Sequence, residues 1–311
     1  MKYRITGVKK NKMSETLATR IYRPETEVKA VMFVVHGMQE HQQRYVKFAE
    51  YMASRGIAVI TYDLPGHGET SSKEDRGWFG EKNGWRVLAA TLTEVCLMAK
   101  KEFPDVPVIC FGHSMGAMLA RTFLQVHDAM IQGLILSGAP NYNPAAKLGR
   151  RIAAQRVRRR GGRSHSTLLD ALATGSFNSS IKEPRTKLDW LSYNEENVDR
   201  YIADEDCGFP FTAQGYYDLF DGMEMMADVK RYHCSNPYLP IRFIAGEDDP
   251  CTGGPKGLKD SMSRLEKAGY RSITCKVYPG MRHEILQEKA ADAVSEEVAD
   301  WILEKVVKVY G

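Results

Sequence analysis

The sequence predicts an α/β protein built on a mostly parallel, doubly wound sheet. Three observations carry that prediction: apolar runs without alternation, regular exchange of these runs with segments of helical spacing, and a Gly-x-Ser-x-Gly turn falling between one run and one helix. Continuous apolar runs suit strands covered on both faces, and strand–helix alternation is the mark of a parallel sheet.

Taken in order, the first 29 residues read as a short antiparallel hairpin, with Thr16 to Tyr22 alternating in character and turn residues near Lys10–Lys12. Ala30 to Val35 is the first fully apolar run. A helix is expected from Gln42 to Ser54, stopped by Gly56, and Ile57 to Tyr62 forms the next strand. Trp85 to Phe103 has helical spacing and stops at Pro104. Val106 to Phe111 is a strand, Met115 to His127 a helix and Ile131 to Leu136 a strand. The alternation resumes with a strand at Leu239–Ala245, a helix at Gly257–Lys267, a strand at Ser272–Val277 and a closing helix at Ala290–Val309.

The stretch 139–236 breaks the alternation and is too long for a plain loop. It predicts an inserted, mostly helical cap, with residues 1–138 and 237–311 forming the main domain. Its Lys147–Arg163 segment carries eight Lys/Arg and no acid, and reads as a solvated basic helix. Leu168, Leu169, Leu172, Phe177, Trp190, Leu191, Phe209, Phe211 and Phe220 could line a site for an acyl chain or pack the cap.

Composition sets limits. The net charge of +4 over 311 residues does not suit nucleic-acid binding. The N-terminus has no apolar h-region, and no uncharged apolar run reaches the roughly 18 residues of a membrane span. At most peripheral membrane contact is expected, through the basic segment. The six cysteines show no CxxC spacing and suit free thiols in a reducing, cytoplasmic setting.

The chemistry centres on Gly112-His113-Ser114-Met115-Gly116. A serine on a tight strand-to-helix turn, flanked by glycines, projects its hydroxyl at a helix N-terminus, where free N–H groups can meet an oxyanion. That hydroxyl needs a base and the base an orienting acid, in the chain order Ser, acid, His. His283 follows the last strand and is the expected base; His113 reads as orienting the turn. The acid lies in Glu247-Asp248-Asp249, with Asp249 favoured because Pro250 biases it toward an extended conformation. The oxyanion donors are expected to be the N–H groups of Met38, after Gly37, and Met115. No cofactor and no metal are expected.

Four segments resemble the monoacylglycerol lipases and lysophospholipase-like hydrolases of the α/β-hydrolase fold. His36-Gly37-Met38-Gln39-Glu40-His41 with Arg44-Tyr45 is similar to their HGxxEHxxRY loop, although Gln39 stands where many members have glycine. Asp63 to Thr70 resembles their DxxGHGxS stretch, with Thr70 replacing the serine. Gly112 to Gly116 resembles their GHSMG turn, and Gly246 to Pro250 their GxxDP segment. The resemblance implies the α/β-hydrolase fold, Asp249 as the acid, and cofactor-free cleavage of a monoacyl lipid or small ester. The same architecture leaves two other readings open. One is an aminopeptidase using Asp204, Glu205 or Asp206 for the substrate's ammonium; the other is a binding module without catalysis.

Overall fold

The computed structural model describes residues 4–5 and 17–310. Among these residues, eight strands form one sheet: β1 (Arg4–Ile5), β2 (Thr19–Tyr22), β3 (Ala30–Val35), β4 (Ile57–Tyr62), β5 (Val108–His113), β6 (Gly133–Ser137), β7 (Ile241–Gly246) and β8 (Ile273–Tyr278). Their order is β1-β2-β4-β3-β5-β6-β7-β8. β1–β2 and β2–β4 pair antiparallel; every pair from β4 to β8 is parallel. The turn expected near Lys10–Lys12 lies outside the described residues.

The apolar runs are explained by helices on both faces. Successive side chains of a strand point to opposite sides. Val31, Phe33 and Val35 therefore join one core with Leu88 and Leu92 of α2 (Gly84–Glu102) and Leu119 and Phe123 of α3 (Met115–His127). Ala30, Met32 and Val34 join the other with Phe48 and Met52 of α1 (Val46–Ser54) and with Val298 and Ile302 of a late helix, Ala291–Ile302. β8 is the exception: it closes the sheet as an edge, with Thr274, Cys275 and Val277 exposed.

Element ends depart from the sequence reading where local chemistry intervenes. The first predicted helix opens as a 3₁₀ turn over Gln42–Tyr45. β5 starts at Val108 rather than Val106, because Pro107 offers only its carbonyl, which accepts from Val31 N–H at 3.0 Å. The closing helix does not run unbroken to Val309; a π-helical turn spans Leu303–Val307.

Between β6 and β7 lie four helices: α4 (Ala146–Arg160), α5 (Thr167–Thr174), α6 (Glu195–Ala203) and α7 (Ala213–Ala227). The basic segment forms α4, and one face of it is docked rather than solvated. Gly149 lets Phe220 of α7 approach, since an added Cβ would stand 2.9 Å from that ring, and Arg150 pairs with Asp221 and Glu224 at 2.8 and 2.9 Å. After this insertion come α8 (Gly254–Ala268) and α9 (Ala291–Ile302). Among the described residues no helix is long and apolar enough to cross a membrane, and no cysteine is in a disulfide.

Candidate active site

The strand order reverses at β3, which lies between β4 and β5, and ligand crevices in open α/β sheets sit at such a switch point. Val35 of β3 is in register with Gly112 of β5, so the loops after these two strands emerge side by side. One carries His36–His41 and the other Ser114.

Ser114 adopts φ +52° and ψ −118°, a left-handed backbone that a residue with a Cβ rarely takes. The turn holds it there. Its N–H donates to Ser137 O at 2.9 Å, and its carbonyl accepts the Ala117 N–H at 2.9 Å. The flanking glycines are steric requirements: a Cβ on Gly112 would meet Gly116 O at 2.5 Å, and one on Gly116 would collide with the carbonyls of Val35 and His36. Gly37 makes the same allowance from the other loop, since a Cβ there would stand 3.1 Å from Ser114 Cβ.

Asp249 caps the turn after β7, accepting the Cys251 N–H at 2.9 Å. Both of its carboxylate oxygens lie 3.0 Å from His283 Nδ1. Asp248 instead accepts from Tyr193 OH at 3.0 Å, and Glu247 is exposed. Of the three adjacent acids, geometry brings only Asp249 to the imidazole. Burial opposes charge on His283, but the adjacent Asp249 carboxylate overrides it and raises the pKa well above the ordinary value. His113 moves the other way: burial, then repulsion from His283, brings it down to about 4. Its Nδ1 lies 3.2 Å from Ser137 Oγ, and its ring centroid 4.7 Å from that of His283.

Ser114 and His283 line one cavity of about 110 Å³ without a hydrogen bond joining them. Its wall includes Met38 and Met115, and neither of their N–H groups has a protein acceptor among the described residues. Of the nine apolar residues singled out in the insertion, Phe177, Trp190, Leu191 and Phe220 line it. Leu169 is buried in the core, Leu168 and Leu172 point outward, and Phe209 and Phe211 pack around His67. Sequence reasoning missed Met118, Leu219 and Met223 as wall residues, together with Cys251. Their helical spacing is that of any core face, which leaves no separate signal.

The Asp63–Thr70 stretch supports this architecture from behind. Asp63 accepts the N–H groups of Gln42 and Glu69, each at 2.8 Å, and the Thr70 hydroxyl donates to Asp63 O at 2.8 Å. His36 takes the Leu64 N–H on Nε2 at 3.0 Å and lies 2.8 Å from Gly37 O through Nδ1, a structural role.

Among the described residues, two groups bring three metal-ligating side chains within 4.8 Å: His41, Asp204 and Cys207, and Asp249, Cys251 and His283. Both imidazoles are already engaged. His41 Nδ1 accepts the Gln43 N–H at 3.3 Å and its Nε2 faces Asp204 at 2.9 Å, while His283 Nδ1 is held by Asp249.

The reversed strand order, the strained serine turn and the facing acid–histidine pair define an α/β-hydrolase. The family model described as serine aminopeptidase, S33, matches residues 26–290, and the chain belongs to this family. The chain is 24% identical to a monoglyceride lipase of Mus musculus, covering 95% of this chain and 89% of that protein. A monoacylglycerol lipase of Mycolicibacterium smegmatis is also 24% identical, with 91% of each chain covered. Among solved structures, a thermostable carboxyl esterase from Bacillus coagulans, in complex with glycerol, superposes with a TM-score of 0.90 at 26% identity, covering 98% and 99% of the two chains.

Proposed function

We propose that this chain hydrolyses carboxylic esters of monoacyl lipids or small acyl alcohols through an acyl-enzyme on Ser114, under a cap formed by residues 139–236. The observation that carries this is the apolar cavity, walled by Met118, Leu219, Phe220 and Met223, that opens on both Ser114 and His283. Each methylene buried there is worth about 0.8 kcal/mol. The similarity to monoglyceride lipases along nearly the whole chain supports an acylglycerol as substrate.

In this mechanism Ser114 Oγ attacks the ester carbonyl as its proton passes to His283 Nε2. Asp249 keeps the Nδ1–H toward itself and stabilises the imidazolium. The oxyanion forms between the free N–H groups of Met38 and Met115. Collapse expels the alcohol, which takes the proton from His283; water, deprotonated by the same imidazole, then releases the acid.

The family's description also names aminopeptidases, but the carboxylates that such a substrate would need are engaged elsewhere. Asp204 pairs with His41, Glu205 with Lys73 and Asp206 with Arg76, and none lines the cavity. Glu40 and Glu284, which do, share the Arg44 cation. The test is a chain-length series of p-nitrophenyl esters and monoacylglycerols beside a panel of aminoacyl-arylamides. Esters should turn over with a clear length optimum, and Ser114→Ala should lose both turnover and fluorophosphonate labelling. Arylamide turnover above ester turnover, or activity retained in Ser114→Ala, would overturn the reading.

A further inference from the structure

Glu40, Arg44 and Tyr45 have no part in the acyl transfer described above, yet all three are packed beside it. The Arg44 side chain is only 10% exposed and sits where three separate pieces of chain converge. Its Nη1 donates to Glu40 Oε2 at 2.9 Å, on the loop that carries Met38, and to Glu284 Oε1 at 2.5 Å, the residue after His283. Its Nη2 donates to Glu284 Oε2 at 2.8 Å and to Asn197 Oδ1 at 3.0 Å on α6 of the cap. Asn197 in turn donates to Glu284 Oε2 at 2.6 Å. The other Glu40 oxygen accepts the Gly37 N–H at 2.5 Å and the Tyr45 hydroxyl at 2.8 Å.

Two buried carboxylates are thus held against one guanidinium. Burial would push the Glu40 carboxyl up, but Arg44, then His113 and His36, bring it down to about 2. A buried ion pair in which one partner is removed leaves an uncompensated charge, so this group stands or falls together. The bidentate grip on Glu284 needs the planar fork of arginine, which an ammonium cannot reproduce.

The same part of the cap also grips the loop backbone. Gln39 adopts φ +58°, the conformation for which glycine is usual, and its carbonyl accepts both the Tyr201 hydroxyl at 2.8 Å and the Gly208 N–H at 3.0 Å. That clamp is one residue from the Met38 N–H. The Tyr201 ring also packs under Arg44, 4.9 Å from the guanidinium carbon.

We propose that Arg44 is a positioning residue that locks the oxyanion loop, the His283 loop and cap helix α6 into one unit, so that the α6 end of the cap completes the active site rather than opening over it. The inference rests on the assignment of Ser114, Asp249 and His283 as the catalytic groups. It gives the Glu40–Tyr45 segment its role: Glu40 fixes Gly37 and thereby Met38, while Glu284 fixes His283, and Arg44 sets the two against each other.

The test compares wild type with Arg44→Lys, Arg44→Ala and Tyr201→Phe on p-nitrophenyl butyrate, with thermal melts and fluorophosphonate labelling rates on each. Misplacing an oxyanion donor costs on the order of 100-fold in kcat. Arg44→Lys should lose about that much kcat with KM nearly unchanged, label more slowly in proportion, and still melt cooperatively. Tyr201→Phe, which removes one donor from the Gln39 carbonyl, should lose about tenfold in kcat, again without a KM change. Arg44→Ala should regain part of its kcat on addition of guanidinium and none on addition of ammonium, a distinction that a purely structural role would not produce. Should the arginine variants fail to fold, Tyr201→Phe alone decides. Folded variants with kcat within about twofold of wild type would overturn the positioning role and leave the catalytic assignment standing. A wild-type protein that neither labels nor cleaves esters would overturn both.

Discussion

His283 shows how one residue's surroundings set the pH range of the enzyme. Burial alone disfavours the imidazolium; the Asp249 carboxylate at 3.0 Å more than offsets this. The other titratable groups around the ring are Cys251, His113 and Glu284, and His113 is kept neutral near pH 7 by burial and by His283 itself. In the proposed mechanism the neutral imidazole is the active base, so activity should rise with pH through a value above the ordinary 6.5. In Asp249→Asn the raising charge is gone while burial still lowers the pKa. The acid limb of kcat/KM should therefore shift to lower pH even as kcat falls on the order of 10,000-fold. A pH–rate profile of both proteins checks this; an unmoved limb in the variant would show that Asp249 does not govern the base. Sequence named Ser114 and His283 as candidates, because a Gly-x-Ser-x-Gly turn and a histidine after the last strand each occupy a defined place in the alternation, and the structure sets both on one cavity. Among Glu247, Asp248 and Asp249 it favoured Asp249 only through the neighbouring Pro250 and the family resemblance. The choice depends on which way the turn after β7 points each carboxylate, and Asp248 ends up on Tyr193.

At the scale of elements, α7 lines the cavity beside Ser114 through Leu219, Phe220 and Met223, and it is fastened to the main domain by the residue before them. The Asp218 carboxylate is buried against the start of α2, accepting the Gly84 N–H at 3.1 Å and the Gln214 amide at 3.3 Å, while its Oδ2 has no partner. Burial raises its pKa to about 7 from 3.8. For an acid raised on folding, the native state binds the proton more tightly than the unfolded chain. The sign is then opposite to that of a paired carboxylate: stability falls as pH rises from about 4 toward 7 and stays low above it. Asp218→Asn keeps the amide acceptor and removes the buried charge. It should raise the melting temperature at pH 8 and leave it nearly unchanged at pH 4; thermal melts at the two pH values measure this, and equal shifts at both would refute the linkage. Elements differed in how plainly they could be read. β3 is an unbroken apolar run and β4 is interrupted only by the buried Thr61, because helices cover both faces, whereas the edge strand β8 has mixed character and its limits were offset by a residue. The helical insertion between β6 and β7 was legible as an interruption, but not in its inward face. Phe209 and Phe211, which meet His67 edge-on, are the same residue type as Phe177 and Phe220, which line the cavity.

On the scale of the whole molecule, the cap is held unequally at its two ends. The α6 end is tied to the main domain by Arg44–Asn197, Tyr201–Gln39 and His41–Asp204. The α5 end rests on α7 through Leu169 and the Tyr216–Asp170 bond, with Leu168 and Leu172 left 57% and 44% exposed. Yet Ala173 and Thr174, at this more exposed end, line the cavity beside Ser114, whereas Phe177 is held against Trp190 in one apolar cluster with Tyr201. A substrate must enter somewhere, and local opening draws on regions with few buried contacts. Entry by displacement of α5, with α6 stationary, follows from that imbalance. Hydrogen exchange followed by mass spectrometry should find peptides covering 167–175 exchanging at least about tenfold faster than those covering 195–208. Occupation of the cavity by a long-chain alkyl fluorophosphonate on Ser114 should slow the first set and leave the second unchanged, because only α5 gains contacts it lacked. Equal exchange at the two ends, or protection on labelling confined to 195–208, would place the moving part of the cap at α6 and contradict this account of entry.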